Sequence, residues 1–350
     1  MSEYDKLRTT LPANITRGDV SKVLRALVSE DSPWEWFSRA RIPFPYVVTI
    51  LRALRDQGYL AFDPTQLTDR GEALAGELGG IPTPDLKCST CGGSGTDWQA
   101  LDVFYQQYLE IFKARPRNEN PDLDQGAMTP ESLFRRIALM VQQGDVATRE
   151  IVTLGDDDLA SVALALTAFP ERVTVLEIDP RLCEYISNVA AQNDLNIRVI
   201  QQDLAARLPH ELVGSFDTFV CDPPETEAGL LLFVEKGLAL LKPGEAHAGY
   251  FGATVMEASL SKWKRWQARL LQNEIAFTHI LSPFSEYEAW PDEKPLPDLL
   301  PLAEKAENPW YRFAFYRLET LPTFKPKADF ELEHSKIFYF DAESYYEAFK

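Results

Sequence analysis

One stretch constrains this chain more than any other: Ile151 to Leu166, reading Ile-Val-Thr-Leu-Gly-Asp-Asp-Asp-Leu-Ala-Ser-Val-Ala-Leu-Ala-Leu. Ile151 to Leu154 is a short apolar run of β type, Gly155 breaks it, and Leu159, Val162, Ala163 and Leu166 recur at helical spacing. Strand, tight turn and helix in that order form the first unit of a doubly wound sheet, where a nucleotide-like ligand usually sits. A turn that cradles phosphate is rich in glycine, so that backbone approaches the ligand closely. Here one glycine is followed by three aspartates. A helix cap needs only one of them, most simply Asp158. Three adjacent carboxylates repel one another, and the sharper reading is a cation site, suited to an amine and hostile to a phosphate.

Charge agrees with that reading. The 350 residues carry 35 basic and 53 acidic side chains, for a formal charge of −18, and 45% of them are hydrophobic, enough to bury a sizeable core in two or three domains. The acid surplus belongs to the part beyond Gly80, because the first eighty residues are close to neutral. Such a surface repels nucleic acid and anionic membranes and attracts cations. The start, Met-Ser-Glu-Tyr-Asp-Lys, has no signal-peptide pattern, and no apolar run reaches the ~18 residues of a membrane span. Four cysteines in a chain this long make no disulfide framework. A cytoplasmic protein is expected.

Residues 1–80 read as a small winged-helix-like domain. Val20, Val23, Leu24, Leu27 and Val28 share one helix face; short helices are expected near Trp34 to Arg39 and from Pro45 to Gln57. Tyr59 to Phe62 and Leu67-Thr68 make a hairpin around Asp63-Pro64, before a helix from Gly71 to Leu78. With only Arg52 and Arg55 on its third helix to meet a phosphate backbone, the unit is expected to serve packing or dimerisation rather than DNA binding. Residues 81–128 form a linker. It carries Cys88-Ser-Thr-Cys91, spaced as a metal knuckle, and an aromatic helix from Trp98 to Arg115. A zinc site would need further ligands, since Cys183 and Cys221 read as small core residues.

Residues 129–320 read as a Rossmann-like catalytic domain, and 321–350 as a C-terminal tail. Thr129 caps a helix that opens at Pro130. Val173 to Ile178 is the second strand and ends in Glu177-Ile178-Asp179, acids placed to accept ribose hydroxyls. Ile197 to Ile200 is the third, followed by Asp203, where adenosylmethionine-dependent folds commonly receive the adenine amino group. The fourth, Phe216 to Cys221, ends in Asp222-Pro-Pro-Glu225, whose prolines stiffen a loop over the sheet edge. Strands at Ala246 to Gly252, Ala276 to Leu281 and Tyr311 to Leu318 follow, the last two separated by a Pro-rich excursion, Pro283 to Pro309, containing Glu286-Tyr287-Glu288-Ala289-Trp290. This is an α/β chain with a seven-stranded sheet of the adenosylmethionine-transferase type. A nicotinamide fold would need glycines in the first turn.

The set Gly155-Asp-Asp-Asp158, Glu177-Ile-Asp179, Asp222-Pro-Pro-Glu225, Gly249-Tyr-Phe-Gly252 and Glu286-Tyr287 resembles the branched-chain polyamine synthases, and Lys87-Cys88-x-x-Cys91 and Asp124-Gln125-Gly126 also fit. The likeness spans nearly the whole chain and is weakest over Glu331 to Lys350. It implies a winged-helix-like domain before a Rossmann-like one, a homodimer, and no tightly bound cofactor. It further implies transfer of aminopropyl groups from decarboxylated S-adenosylmethionine to the central amine of spermidine, releasing 5′-methylthioadenosine. The donor would lie against Gly155, Asp156, Asp157, Glu177, Asp179, Asp203 and Gln125. The acceptor would lie against Asp222, Glu225, Glu286, Tyr287 and Glu288, with carboxylates on its ammoniums and aromatic faces on its methylenes.

The chemistry asks for a base, because the attacking amine is protonated at neutral pH. Asp222, Asp156 and Asp158 are the candidates, and neighbouring acids raise such a carboxyl into a useful range. Two rivals compete with this reading. An amino methyltransferase acting on nucleic acid also shows Asp-Pro-Pro after its fourth strand, usually followed by an aromatic, where this chain has Glu225. A polyamine-sensing winged-helix regulator is the non-enzyme alternative.

Overall fold

The computed structural model describes residues 2–29, 33–40, 42–62, 65–79, 95–116, 123, 125, 126, 128–288 and 309–344. Cys88 and Cys91, Asp124, the Asp63-Pro64 turn, and Ala289-Trp290 lie outside the described residues.

The N-terminal unit runs α1 (Glu3–Arg8), α2 (Arg17–Ser29), α3 (Glu35–Ala40), α4 (Phe44–Asp56), β1 (Leu60–Phe62), β2 (Thr65–Leu67) and α5 (Asp69–Glu77), with β1 and β2 antiparallel. Apart from α1, which the periodicity does not predict, these are the helices and hairpin expected. Thr68, read as part of the returning strand, instead caps α5 by accepting from Gly71 N–H. The aromatic helix starts one turn late, as α6 (Asp102–Lys113) behind a short 3₁₀ turn at Trp98–Leu101.

The rest is α7 (Pro130–Gln142), β3 (Glu150–Leu154), α8 (Ala160–Leu166), β4 (Arg172–Glu177), α9 (Pro180–Gln192), β5 (Ile197–Gln201), β6 (Thr218–Cys221), α10 (Glu227–Leu240), β7 (Ala248–Ala253), α11 (Leu260–Leu270), β8 (Ile275–Glu286) and β9 (Arg312–Thr320). The seven strands β3 to β9 form one sheet in the order β5-β4-β3-β6-β7-β9-β8, parallel from β5 to β7, with β9 antiparallel between β7 and β8. The order reverses between β3 and β6, so the crevice at their C-terminal ends is the ligand site of a doubly wound sheet.

Strand alternation sorts the core into two layers. Ile151, Val173, Val175, Tyr250, Phe313 and Phe315 face α7, α8 and α9; their neighbours Val152, Leu176, Phe251, Ala314 and Tyr316 face α10 and α11. The first layer is continuous with the core of the N-terminal unit. Trp310 is seated among Trp34, Phe37 and Phe44, with ring centroids 4.8, 5.3 and 5.7 Å away.

Two expectations change. The strand expected to stop at Leu281 runs on to Glu286, through Pro283. It is the sheet edge, and its pairing to β9 shifts register between Leu281 and Ser285, so Pro283 removes no ladder bond that the edge needs. Residues 321–344, expected as a tail, fold back over α10. Lys236, fully buried, donates to Asp329 Oδ1 at 2.8 Å and to the Phe330 carbonyl, and Thr226 Oγ1 donates to the Phe338 carbonyl at 2.7 Å.

Candidate active site

The Gly-Asp-Asp-Asp turn leaves β3 at Gly155, whose φ of 72° is one that glycine adopts without strain. The three aspartates then diverge. Asp156 turns down and accepts from the backbone N–H of Ser161 at 3.0 Å and from the Ser161 hydroxyl. Asp156 therefore does the capping that the sequence assigned to Asp158. Asp158 points to the α7 side, where its Oδ1 accepts from Met128 N–H at 2.6 Å. Asp157 faces the crevice and accepts from Gly126 N–H at 3.0 Å.

Asp222 follows β6 and faces the same crevice. Gly252, at the end of β7, is required beside it: a methyl group there would lie 2.0 Å from Asp222 Oδ1. The cation that meets Asp222 is Arg136, absent from the sequence reading. Its Nη1 lies 3.2 Å from Asp222 Oδ2, and its Nε donates to Ser285 Oγ at 2.7 Å. Arg136 sits on the buried stripe of α7 beside Leu133, Ile137 and Met140. A charge on an apolar stripe is the one signal that marks it in the sequence.

Three cavities meet at this point, and Asp157 and Asp222 line all three. The first, about 620 Å³, takes in Gln125, Glu177, Asp203, Leu204 and Phe233. Glu177 holds the backbone amides of Asp156 and Asp179 at 2.8 Å each and so braces the turn and its own strand end. Asp179 stands off this cavity. It caps α9 through Arg181 N–H and pairs with the Arg181 side chain at 2.6 Å, which holds its carboxyl down to about 2. Tyr339, from the folded-back segment, completes the wall and had no signal in the sequence.

The second cavity, about 410 Å³, is lined by Glu225, Glu257, Tyr287, Tyr311 and Phe313. Glu257 accepts from the Tyr311 hydroxyl. Neither was singled out from the sequence. Tyr287 lines this cavity, but the structure does not bring Glu286 and Glu288 with it, because successive residues of an extended chain point to opposite sides. Glu286 pairs with Arg312 at 3.1 Å, itself bound to Glu35 of α3, and Glu288 lies 3.8 Å from Arg115. The third cavity lies inward, between α7 and the ends of β3 and β6.

Burial and mutual repulsion set the charges here. Burial, with Glu177 and Asp222 nearby, pushes Asp157 up to about 7. Asp158 is likewise raised well above its ordinary value, by burial and by Asp157 and Asp222. Burial also raises Asp222, opposed by Arg136. Such a cluster is poised to take up cationic groups and to accept a proton near neutrality. The two described cysteines, Cys183 and Cys221, are buried thiols raised by burial, and the described residues contain no group of three metal-ligating side chains. No helix among the described residues is long and apolar enough to cross a membrane.

Residues 103–346 match the model of the branched-chain polyamine synthase A C-terminal domain. The chain is similar to N(4)-bis(aminopropyl)spermidine synthase of Thermococcus kodakarensis, 38% identical over 349 residues and 98% of both chains. The synthase of the same name from Methanocaldococcus jannaschii is 34% identical over 97% of this chain and 98% of that one. The solved branched-chain polyamine synthase of Thermus thermophilus, in complex with N4-aminopropylspermidine and 5′-methylthioadenosine, aligns with a TM-score of 0.82. It is 34% identical over 96% of this chain and 95% of that one. With family match, near full-length identity and superposed fold in agreement, this chain belongs to the branched-chain polyamine synthase family.

Proposed function

We propose that this transferase moves aminopropyl groups from decarboxylated S-adenosylmethionine to the central nitrogen of spermidine, forming N(4)-aminopropylspermidine and then N(4)-bis(aminopropyl)spermidine. The observation that carries the reading is the meeting of three cavities at Asp157 and Asp222. The larger cavity takes the adenosine part of the donor, with Glu177 on the ribose hydroxyls and Asp203 toward the adenine amino group. The cavity of Glu225, Glu257, Tyr287, Tyr311 and Phe313 takes the acceptor.

Asp157 is the base in this reading, in place of Asp156, whose oxygens are held by Ser161. Its carboxylate removes the proton from the central ammonium of spermidine. The freed lone pair attacks the propyl carbon bound to the sulfonium; the C–N bond forms as the C–S bond breaks. The electron pair goes to sulfur, and 5′-methylthioadenosine leaves as a neutral thioether. The first transfer leaves a protonated tertiary ammonium. Once Asp157 has shed its first proton to solvent it removes this one too, and the freed tertiary amine attacks a second donor and becomes a quaternary ammonium, which carries no proton. Tyr287, Tyr311 and Phe313 offer that fixed charge aromatic faces. Asp222, held by Arg136, keeps a negative charge beside both cations.

The test is calorimetry with decarboxylated S-adenosylmethionine against S-adenosylmethionine, together with product analysis on spermidine. Tighter binding of the decarboxylated donor and branched products are expected. Equal affinities with methylated product would replace this reading with a methyltransferase.

A further inference from the structure

The inner cavity is the part of the site that the reaction as written leaves without a ligand. It encloses about 510 Å³ including its mouth, and its walls are Met128, Leu133, Ile137 and Val220. Its polar residues are unusual. Thr153 of β3 is 1% exposed and lines this cavity, and its Oγ1 has no hydrogen-bond partner among the described residues. A buried hydroxyl left without a partner is costly, so such a group calls for a ligand. Asp158 lines the cavity too, with one oxygen taken by Met128 N–H. Arg136 is also on the wall, but its charge is met by Asp222 and its Nε by Ser285. A mostly apolar lining that includes a carboxylate and a threonine whose hydroxyl is unmet fits a short alkyl chain tipped by an ammonium.

We infer that this inner cavity is the subsite of the aminopropyl arm itself, with Thr153 accepting a hydrogen bond from the arm's ammonium beside Asp158. The inference rests on the transfer reading above and adds to it the residue that recognises the group being moved. The geometry suits the chemistry. Asp157 and Asp222 at the mouth stand where the sulfonium would lie, and the methylenes run inward along the apolar walls. The arm keeps its ammonium while its far end passes from sulfur to nitrogen, so the cavity holds the same group before and after transfer.

Thr153→Val preserves side-chain shape and deletes the acceptor, and Ala160→Leu fills the cavity from α8. Each is titrated with decarboxylated S-adenosylmethionine and with 5′-methylthioadenosine, which shares the adenosine and lacks the arm. Thr153→Val is expected to weaken the donor roughly ten- to a hundredfold, the loss of a hydrogen bond to a charged group, and to leave 5′-methylthioadenosine within about twofold. Ala160→Leu is expected to weaken the donor at least as much, with the same sparing of 5′-methylthioadenosine. Unchanged donor affinity in both variants, or equal loss for both ligands, would overturn the subsite while leaving aminopropyl transfer in place. If the unaltered protein binds S-adenosylmethionine as tightly as its decarboxylated form, the transfer reading fails and the subsite with it.

Discussion

The two halves of the sheet build the site in different ways. On the β5-β4-β3 half, each acid sits on or just past a strand end: Asp156 to Asp158 after β3, Glu177 at the end of β4 and Asp179 after it, Asp203 after β5. On the other half, the cavity proposed for the acceptor is assembled from distant pieces: Glu225 after β6, Glu257 between β7 and α11, Tyr287 past β8, and Tyr311 and Phe313 at the start of β9. A parallel strand must be followed by a crossover, so its ligand residues come in a fixed local order. Glu225 and Glu257 also follow parallel strands, but the antiparallel β8–β9 pair adds Tyr287, Tyr311 and Phe313, whose positions in sequence carry no such order. The side proposed for the donor is thus set mainly by turns, and the side proposed for the acceptor mainly by packing.

Four measurements test that contrast. The largest effect is expected where the halves meet. Asp157→Asn should lower kcat about 10³-fold, the scale of a lost general base, with little change in donor affinity. In the unaltered enzyme, kcat/KM should climb with pH through about 7, where Asp157 loses its proton. A pH-independent rate, or a near-normal rate in the variant, would move the base to another carboxylate.

Next comes the acceptor half alone. Glu257→Gln should raise the KM for spermidine by roughly tenfold, the value of a charge-assisted contact, and leave the donor KM alone. A change in the donor KM instead would show that the two halves are not separate.

The third concerns stability. The carboxyl of Asp157 is raised in the fold above its ordinary value near 4, so it favours the folded state most at low pH, and that contribution is lost as pH rises through about 7. The ligand-free protein should therefore lose on the order of 5 °C in Tm between pH 5 and pH 8. Asp157→Asn should flatten this slope, and a slope untouched by the substitution would place its origin elsewhere.

The smallest effect is expected from Glu286→Gln, within about twofold in the spermidine KM, because Glu286 is engaged with Arg312 outside the acceptor cavity. A tenfold rise with linear products would restore Glu286 to the acceptor wall.

By itself the sequence determined the sheet, its first turn and the acids at its parallel strand ends. The reason is local: alternation, a helical repeat and a glycine break are properties of neighbouring residues, and Asp157, Glu177, Asp203 and Asp222 inherit their place from them. Only the tertiary structure decided which of three adjacent aspartates faces the crevice. That depends on Leu159 taking φ 54° and on Ser161 and Met128 claiming Asp156 and Asp158. Long-range packing also placed Arg136 against Asp222, 86 residues away, and Tyr339 beside the cavity proposed for the donor. It also turned Glu286 and Glu288 away from Tyr287. An antiparallel edge strand that runs past Pro283 sets which side each residue faces, and the excursion read from composition gave no register to count from.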